Sequence, residues 1–450
     1  MGIEFTHPVS AFIVAAFVPR DAHRSGTLDE AEAIRARYPE VARANILTAA
    51  LLADEAGVRS FVARDPSAAT MKGGTYDCDA LTHLCFSRYL RLDRSRSDAF
   101  VATARVLLDA GASANTGWWE TIDKERQPRQ VIEAAIYGAA GIAQHAALTR
   151  LLLERGADPN DEETPYHVPE TRDNTVLQIL IDSGRLNEKS LRTVLVRKTD
   201  WHDLDGLRLA LDAGVDPNLR TVWGTNALEH AIQRDNDLDA IVELLNRGAD
   251  PLLPRDNDGR TPAALAAQRG RADVLRELRQ RGVALEFTGI TALVAACALD
   301  EETRVQQLVA ATPSLTTMIA AHGGTLLAEF AGVGNTPGVR HLIALGVPVS
   351  ALYGGDGYFD IPRQSTALHV AAWRARHNVV KELIARGADV DAIDGRGRTP
   401  LQLAVKACVD SYWMGSRKPD SVKALLDAGA SKAGIEVPSG YDEIDRLLRE

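Results

Sequence analysis

The chain has 450 residues, 45% hydrophobic and 25% charged, a balance that excludes a disordered chain. Its net charge of −10 argues against non-specific attraction to nucleic-acid phosphates or anionic lipid. Four cysteines make no disulfide framework, and the longest early apolar run, Val9 to Val18, is too short to span a bilayer and has no Lys or Arg before it, so a cytoplasmic protein without a secretory signal is expected.

The N-terminal part reads as degenerate helix pairs. Ala11 to Val18 is predicted as a first helix and Thr27 to Arg37 as its partner, with Thr27 and Glu30 at capping-box spacing. Ile46 to Ala69 is a clearer pair, closed by Asp65-Pro66 where a helix cannot continue. From Asp79 onward glycines beat along the chain. Gly111, Gly156, Gly214, Gly248, Gly282, Gly346, Gly387 and Gly429 each follow an amphipathic stretch, where glycine takes the left-handed conformation that ends a helix. The two steps from Gly214 to Gly282 are 34 residues each. The step from Gly156 to Gly214 is too long for one pair, so Thr175 to Ser183 is expected to belong to a further degenerate copy. Between Gly282 and Gly346 lies a second proline-closed variant, Thr291 to Thr316, with Thr312-Pro313 at the stop.

The best copy runs from Ser365 to Pro400 and contains TALH, RGADVDA and DGRGRTP. Thr366 opens it and Thr399 opens the next copy 33 residues on. Thr366 can accept from the free N–H groups of a first helix, whose Ala371 and Ala372 let neighbouring helices approach closely. Val379, Val380, Leu383 and Ile384 give the second helix its apolar face, Gly387 ends it, and Asp394-Gly395 turns the following finger. These residues and this period resemble an ankyrin repeat. The resemblance covers essentially the whole chain and implies an all-α solenoid of about ten or eleven helix-turn-helix repeats with β-hairpin fingers and helical caps. We expect degenerate repeats over 1–70, a main array over 71–435 and a capping helix over 436–450. In that cap Ile444, Leu447 and Leu448 make the apolar side, and Ser439 with Asp442 has capping-box spacing.

Three departures lengthen the repeat: Arg88 to Ser97, rich in arginine; Val409 to Pro419; and the finger Val347 to Gln364, VPVSALYGGDGYFDIPRQ. No stretch offers a nucleophile, base and orienting group that converge. Cys85 and Cys297 fall where Ala372 stands in its own repeat and read as small core residues. His369 occupies the position of the family's histidine, which implies inter-repeat hydrogen bonds. Thr82, Glu133, Glu229, Ala264, Val294, Ala328 and Gln402 stand at matching positions, which excludes a metal ladder. Asp256-Asn257-Asp258-Gly259 lacks the carboxylates of a calcium loop and reads as a finger turn. Gly332 to Gly338 joins two helices and follows no strand, so it is no dinucleotide loop.

Aromatic residues are scarce, yet Trp118, Trp119, Tyr166, Trp223, Tyr353, Tyr358 and Phe359 fall in or beside fingers. Binding hot spots favour such rings, and they are the expected partner-binding residues, with Trp118, Trp119 and the 353–359 loop as anchors. The opposing expectation is that each ring plugs the gap beneath its own finger. The family resemblance implies a non-enzymatic, monomeric adaptor without cofactor or metal, binding another protein along its concave face, with no nucleic-acid or membrane partner. Its composition resembles bacterial multi-repeat ankyrin proteins. The alternative is an enzyme or small-ligand site between the 347–364 finger and its neighbours, with Asp356, Asp360 and Arg363 as polar groups. A nucleic-acid surface on Arg88, Arg91, Arg94 and Arg96 is disfavoured by the net charge and by Asp93 and Asp98.

Overall fold

The computed structural model describes residues 7–19, 25–122, 128–411 and 417–450. The fold is the expected all-α repeat, in two compact units, 1–227 and 228–450. Residues 412–416 of the predicted 409–419 lengthening lie outside the described residues.

The repeat at 365–400 shows why these residues make this element. The Thr366 hydroxyl accepts from His369 N, and the His369 ring Nδ1 accepts from Thr366 N at 3.1 Å, a reciprocal cap on Ala367–Trp373. The other ring nitrogen, Nε2, lies 3.0 and 3.1 Å from the carbonyls of Ala392 and Arg398, so the histidine ties its helix to the next finger. The partner helix His377–Ala385 ends before Gly387, whose φ is +80°. All eight beat glycines have positive φ and open space where a Cβ would stand, so backbone conformation rather than room selects glycine there. Buried alanine pairs (Ala49-Ala50, Ala139-Ala140, Ala266-Ala267, Ala295-Ala296, Ala371-Ala372) let successive first helices stack closely.

In the 1–227 unit, first helices Pro8–Ala16, Ile46–Leu51, Ala80–Cys85, Glu163–His167 and Glu188–Asp200 are followed by second helices Asp29–Arg37, Glu55–Arg64, Ser97–Asp109, Thr175–Asp182 and Leu204–Asp212. Thr175–Asp182 is the second helix of the expected degenerate copy. Two local expectations are corrected. Thr27 bonds Asp29 and does not cap a helix with Glu30, since the helix begins at Asp29. Glu133 lies in a strand rather than a helix. The hairpin β1 (Gly117–Ile122) and β2 (Arg129–Ala134) pairs Trp118 with Glu133 and Trp119 with Ile132, and the helical turn starts only at Ala135. The arginine-rich lengthening is itself helical, Arg88–Leu92 and Arg94–Arg96. Its guanidiniums are engaged by carbonyl groups: Arg88 reaches Ala15 O at 2.8 Å, Arg94 reaches Ala143 O at 2.6 Å and Arg96 reaches Leu52 O at 3.2 Å. Cations at helix C-termini are stabilising there, which gives this segment a structural job.

In the 228–450 unit, Pro262–Gln268, Gly289–Leu299, Gly323–Val333, Ala367–Trp373 and Pro400–Val409 are first helices. An extra helix, Ser314–Ala321, follows Pro313 and packs against both Gly289–Leu299 and Gly323–Val333. The other ends of these helices converge: Asn335 Nδ2 donates to Gly270 O at 2.8 Å and Ala298 O at 2.9 Å, and the Phe330 ring lies against Gly270. The last helix, Asp442–Arg449, buries Ile444 and Leu448. Its expected Ser439–Asp442 box is not formed, because Asp445 reaches back to Ser439 N at 2.7 Å instead.

Candidate functional site

The seven finger aromatics divide by exposure. In the 1–227 unit, neighbouring side chains of β1 point to opposite faces. Trp118 is 5% exposed, stacked on Tyr76 at 4.8 Å and edge-on to Phe86 at 4.6 Å, while Trp119 is 65% exposed. The hairpin leans on the following finger through an Arg129–Glu162 ion pair, and Glu162 also holds Lys189 at 2.6 Å. A file of rings runs Phe17, Phe86, Tyr137, His167, Tyr166, Trp223, each within 5.7 Å of the next. It ends at Trp223, which is 51% exposed beside the exposed Val222. Tyr166 is half-buried under the Arg197 guanidinium, 4.1 Å away.

In the 228–450 unit the long finger turns inward. Tyr353 and Phe359 are buried, and Tyr358 is half-buried. The Tyr353 hydroxyl donates to Glu329 at 3.1 Å, and the Phe359 carbonyl accepts from Trp373 Nε1 at 2.6 Å. Arg374 lies 4.0 Å from the Phe359 ring centre and Arg234 lies 3.9 Å from that of Tyr358. The finger is pinned by β3 (Leu352–Tyr353) pairing with β4 (Ser365–Thr366), by the Asp356–Ile361 bridge and by Gly395 N on Arg363 O at 3.0 Å. Trp118, Tyr353 and Phe359 are therefore packing residues and not outward anchors. Burying each ring against others gains more than leaving it in water, and the three glycines of the finger serve an ordered turn.

Beneath the finger lies a buried charge cluster. Asp235 pairs with Arg374 and lies 3.4 Å from Arg269 and 4.0 Å from Arg271. Burial alone would raise the Asp235 carboxyl, but the three guanidiniums hold it well below the usual carboxylate range. Arg269 also reaches Glu329 at 2.9 Å, and burial pushes that carboxyl up. Beside the cluster is a cavity of about 490 Å³, lined by the first helices, the extra helix and Asp356 of the long finger. Asp360 bonds Arg396 and lies 3.7 Å from Arg398, outside that lining, and Arg363 does not line it either. The sequence reasoning missed Asp235, Arg269, Arg374 and Glu329. One signal was available: Arg-x-Arg recurs directly after a first helix, at Arg269-Gly270-Arg271 and Arg374-Ala375-Arg376.

The thiols stand as core residues. Cys85 and Cys297 are buried, and burial pushes the Cys297 thiol up to about 12. Among the described residues no group of three or more His, Cys, Asp or Glu side chains could hold a metal ion, and no helix is long and apolar enough to cross a membrane.

The family described as ankyrin repeats in three copies matches at residues 195–288, 228–318 and 327–434, together just over half of the chain. The chain is similar to the human protein "SH3 and multiple ankyrin repeat domains protein 2", 24% identical over 263 residues. The match takes in 57% of this chain and spans 14% of that protein's length. A crystal structure of the human ASB11 ankyrin repeat domain matches at 19% identity, covering 60% of this chain and 99% of that one, with a TM-score of 0.26.

Proposed function

The chain belongs to the ankyrin repeat family, and we propose that it works as a non-enzymatic adaptor that binds another protein through the fingers of its 1–227 unit. Members of the family are generally protein-interaction modules. The observation that carries the reading is the exposure of Trp119, on a hairpin fixed by strand pairing and the Arg129–Glu162 ion pair, and of Trp223, on a turn closed by Thr221 N on Thr225 O at 2.9 Å. A tryptophan held out in water forgoes roughly 1.5–3 kcal/mol of burial, and rigid rings lose little entropy when a partner covers them. Tyr166 borders Trp223 and belongs to the same surface, whereas Tyr358 is spent on Arg234. Buried thiols suit a reducing compartment. The reading is of a cytoplasmic monomer whose partner is neither nucleic acid nor membrane.

The test replaces Trp119 and Trp223 singly by alanine and measures melting and partner capture side by side. Each change should leave melting within about 2 °C, as surface substitutions do, and should lower capture at least tenfold. Capture unchanged in both variants overturns this surface.

A second reading, a small-ligand site beside the long finger, is favoured by one observation: Asp356 of that finger lines the cavity in the 228–450 unit.

A further inference from the structure

Resting on that second reading, we propose that the cavity of the 228–450 unit binds a small monocarboxylate with an apolar body, its carboxylate held by Arg255 and Arg260. The cavity has a physical origin. Pro262–Gln268, Gly289–Leu299 and Gly323–Val333 are drawn together at their C-terminal ends by Asn335 and Phe330, while the extra helix Ser314–Ala321 stands between the latter two. The space is lined by Gln268 and Arg269 at the end of the first of these helices and by the earlier turns of the other two, and is about 490 Å³, within the range of small-molecule sites. A repeat has no need of the extra helix or of an eighteen-residue finger (347–364), and both line this space.

Its chemistry is asymmetric. Leu265, Val294 and Leu326 give it an apolar wall, with Met318 exposed among the lining residues. On the finger side, Arg255 N donates to Arg260 O at 3.0 Å, so two guanidiniums leave one tight turn. Arg260 donates to Gln268 Oε1 at 2.8 Å and lies 3.5 Å from the Asp258 carboxylate, and its Nε is buried with no hydrogen-bond partner. The Arg255 side chain has Glu229, 3.4 Å from its Nε, as its one partner among the described residues. The acids are differently placed. Glu329 already accepts from Tyr353 and pairs with Arg269, and Asp356 accepts from Tyr358 N at 2.9 Å. Three arginines against two carboxylates line the cavity, which favours an anion. Arginine presents the paired N–H geometry that a carboxylate matches. Glu229, Glu329 and Asp356 nearby disfavour a dianion such as a phosphate monoester, because each added negative charge meets carboxylates in a low-dielectric site. The apolar wall takes the body of the ligand.

The experiment titrates the full chain by calorimetry with octanoate below its micelle concentration, and in parallel with octylamine. It uses wild type, Arg260→Gln, Arg255→Gln and Val294→Trp, each checked by circular dichroism. Octanoate should bind wild type at one site, at least tenfold more weakly in each arginine variant, and not at all in Val294→Trp, where the indole covers the apolar wall. Octylamine should not bind. Octanoate binding equally to wild type and Arg260→Gln overturns the carboxylate assignment. So does octylamine binding that Val294→Trp abolishes, although the ligand-site reading then stands. Failure of both probes to bind wild type overturns the assignment and that reading together.

Discussion

Asp235 is the carboxylate at the centre of the buried charge cluster of the 228–450 unit. Its carboxylate answers Arg374, Arg269 and Arg271, whose side chains are at most 7% exposed. Removing one partner of a buried ion pair leaves uncompensated charge in the interior, at a cost of about 3–5 kcal/mol. Asp235→Asn is therefore expected to destabilise by about that amount at pH 7, measured by urea unfolding. The sign of the pH dependence follows from the lowered pKa. The folded group sits below the ordinary unfolded value of about 3.9, so its contribution is full above that value and is lost as pH falls through the folded value. Wild type should lose stability below about pH 4 more steeply than the asparagine variant; parallel acid limbs would refute the assignment. The thiols make the opposite case. Cys297 lies buried in a first helix, where alanine stands in neighbouring repeats, so Cys297→Ala should cost no more than about 1.5 kcal/mol, as a change of one buried atom does. The same chemistry explains what was legible at this scale. Cys85, Cys297 and His369 read correctly from repeat position because the repeat fixes their neighbours. The Asp235 cluster did not, because Arg374 is 139 residues away and no local pattern states that the two meet.

The long finger is the element that departs most from its expected behaviour. Three glycines and three rings suggest a loop waiting for a partner, yet its rings face inward. The cause is a close backbone approach at Gly324, in the first turn of Gly323–Val333. A Cβ there would stand 1.9 Å from the Leu352 carbonyl oxygen of β3, a contact that no side-chain motion relieves. Gly324→Ala must push the finger off the helix. The expected cost is about 1–3 kcal/mol of overpacking. It should come with weakened Tyr353–Glu329 and Phe359–Trp373 contacts, visible as a changed tryptophan emission and as new protease cleavage within 352–364. Normal emission with no new cleavage would show that the finger does not depend on this approach. Sequence pattern located the finger, since its length exceeds the repeat. It could not give the direction, which is set by residues elsewhere, such as Glu329 in a first helix and Arg234 and Arg374 in the turns just after first helices. The extra helix Ser314–Ala321 was hidden for a related reason: the proline stop at Pro313 read as the end of a repeat, and the apolar residues after it, Leu315 and Ile319, carry no signal of where they pack.

At the scale of the whole molecule, repeats that pack mainly on their neighbours divide stability among local interfaces, so unfolding need not be one event. The weakest stretch is expected in the degenerate copy of the 1–227 unit, where Glu163–His167 is barely a turn and a half and Thr175–Asp182 has eight residues. Short helices contribute few internal hydrogen bonds and rely on packing. This copy is secured by a polar staple rather than an apolar one. Lys198, fully buried in Glu188–Asp200, donates from Nζ to Thr171 O at 2.8 Å and to Asp203 Oδ2 at 2.8 Å, and Asn174 donates to the same carboxylate at 2.9 Å. The lysine thus holds the middle of the segment that joins the two short helices directly, and its end at Asn174 through Asp203. The 1–227 unit is expected to open locally at this copy. Lys198→Met keeps the side-chain length while stranding Asp203 in the interior, a change expected to cost about 3–5 kcal/mol. Hydrogen exchange should then speed up across 163–182 by two or more orders of magnitude while protection in Pro262–Gln268 and Ala367–Trp373 holds, since local opening reports the stability of the segment that opens. Equal acceleration in those distant helices would mean that the chain unfolds as one cooperative body, and the idea of a local joint would fall.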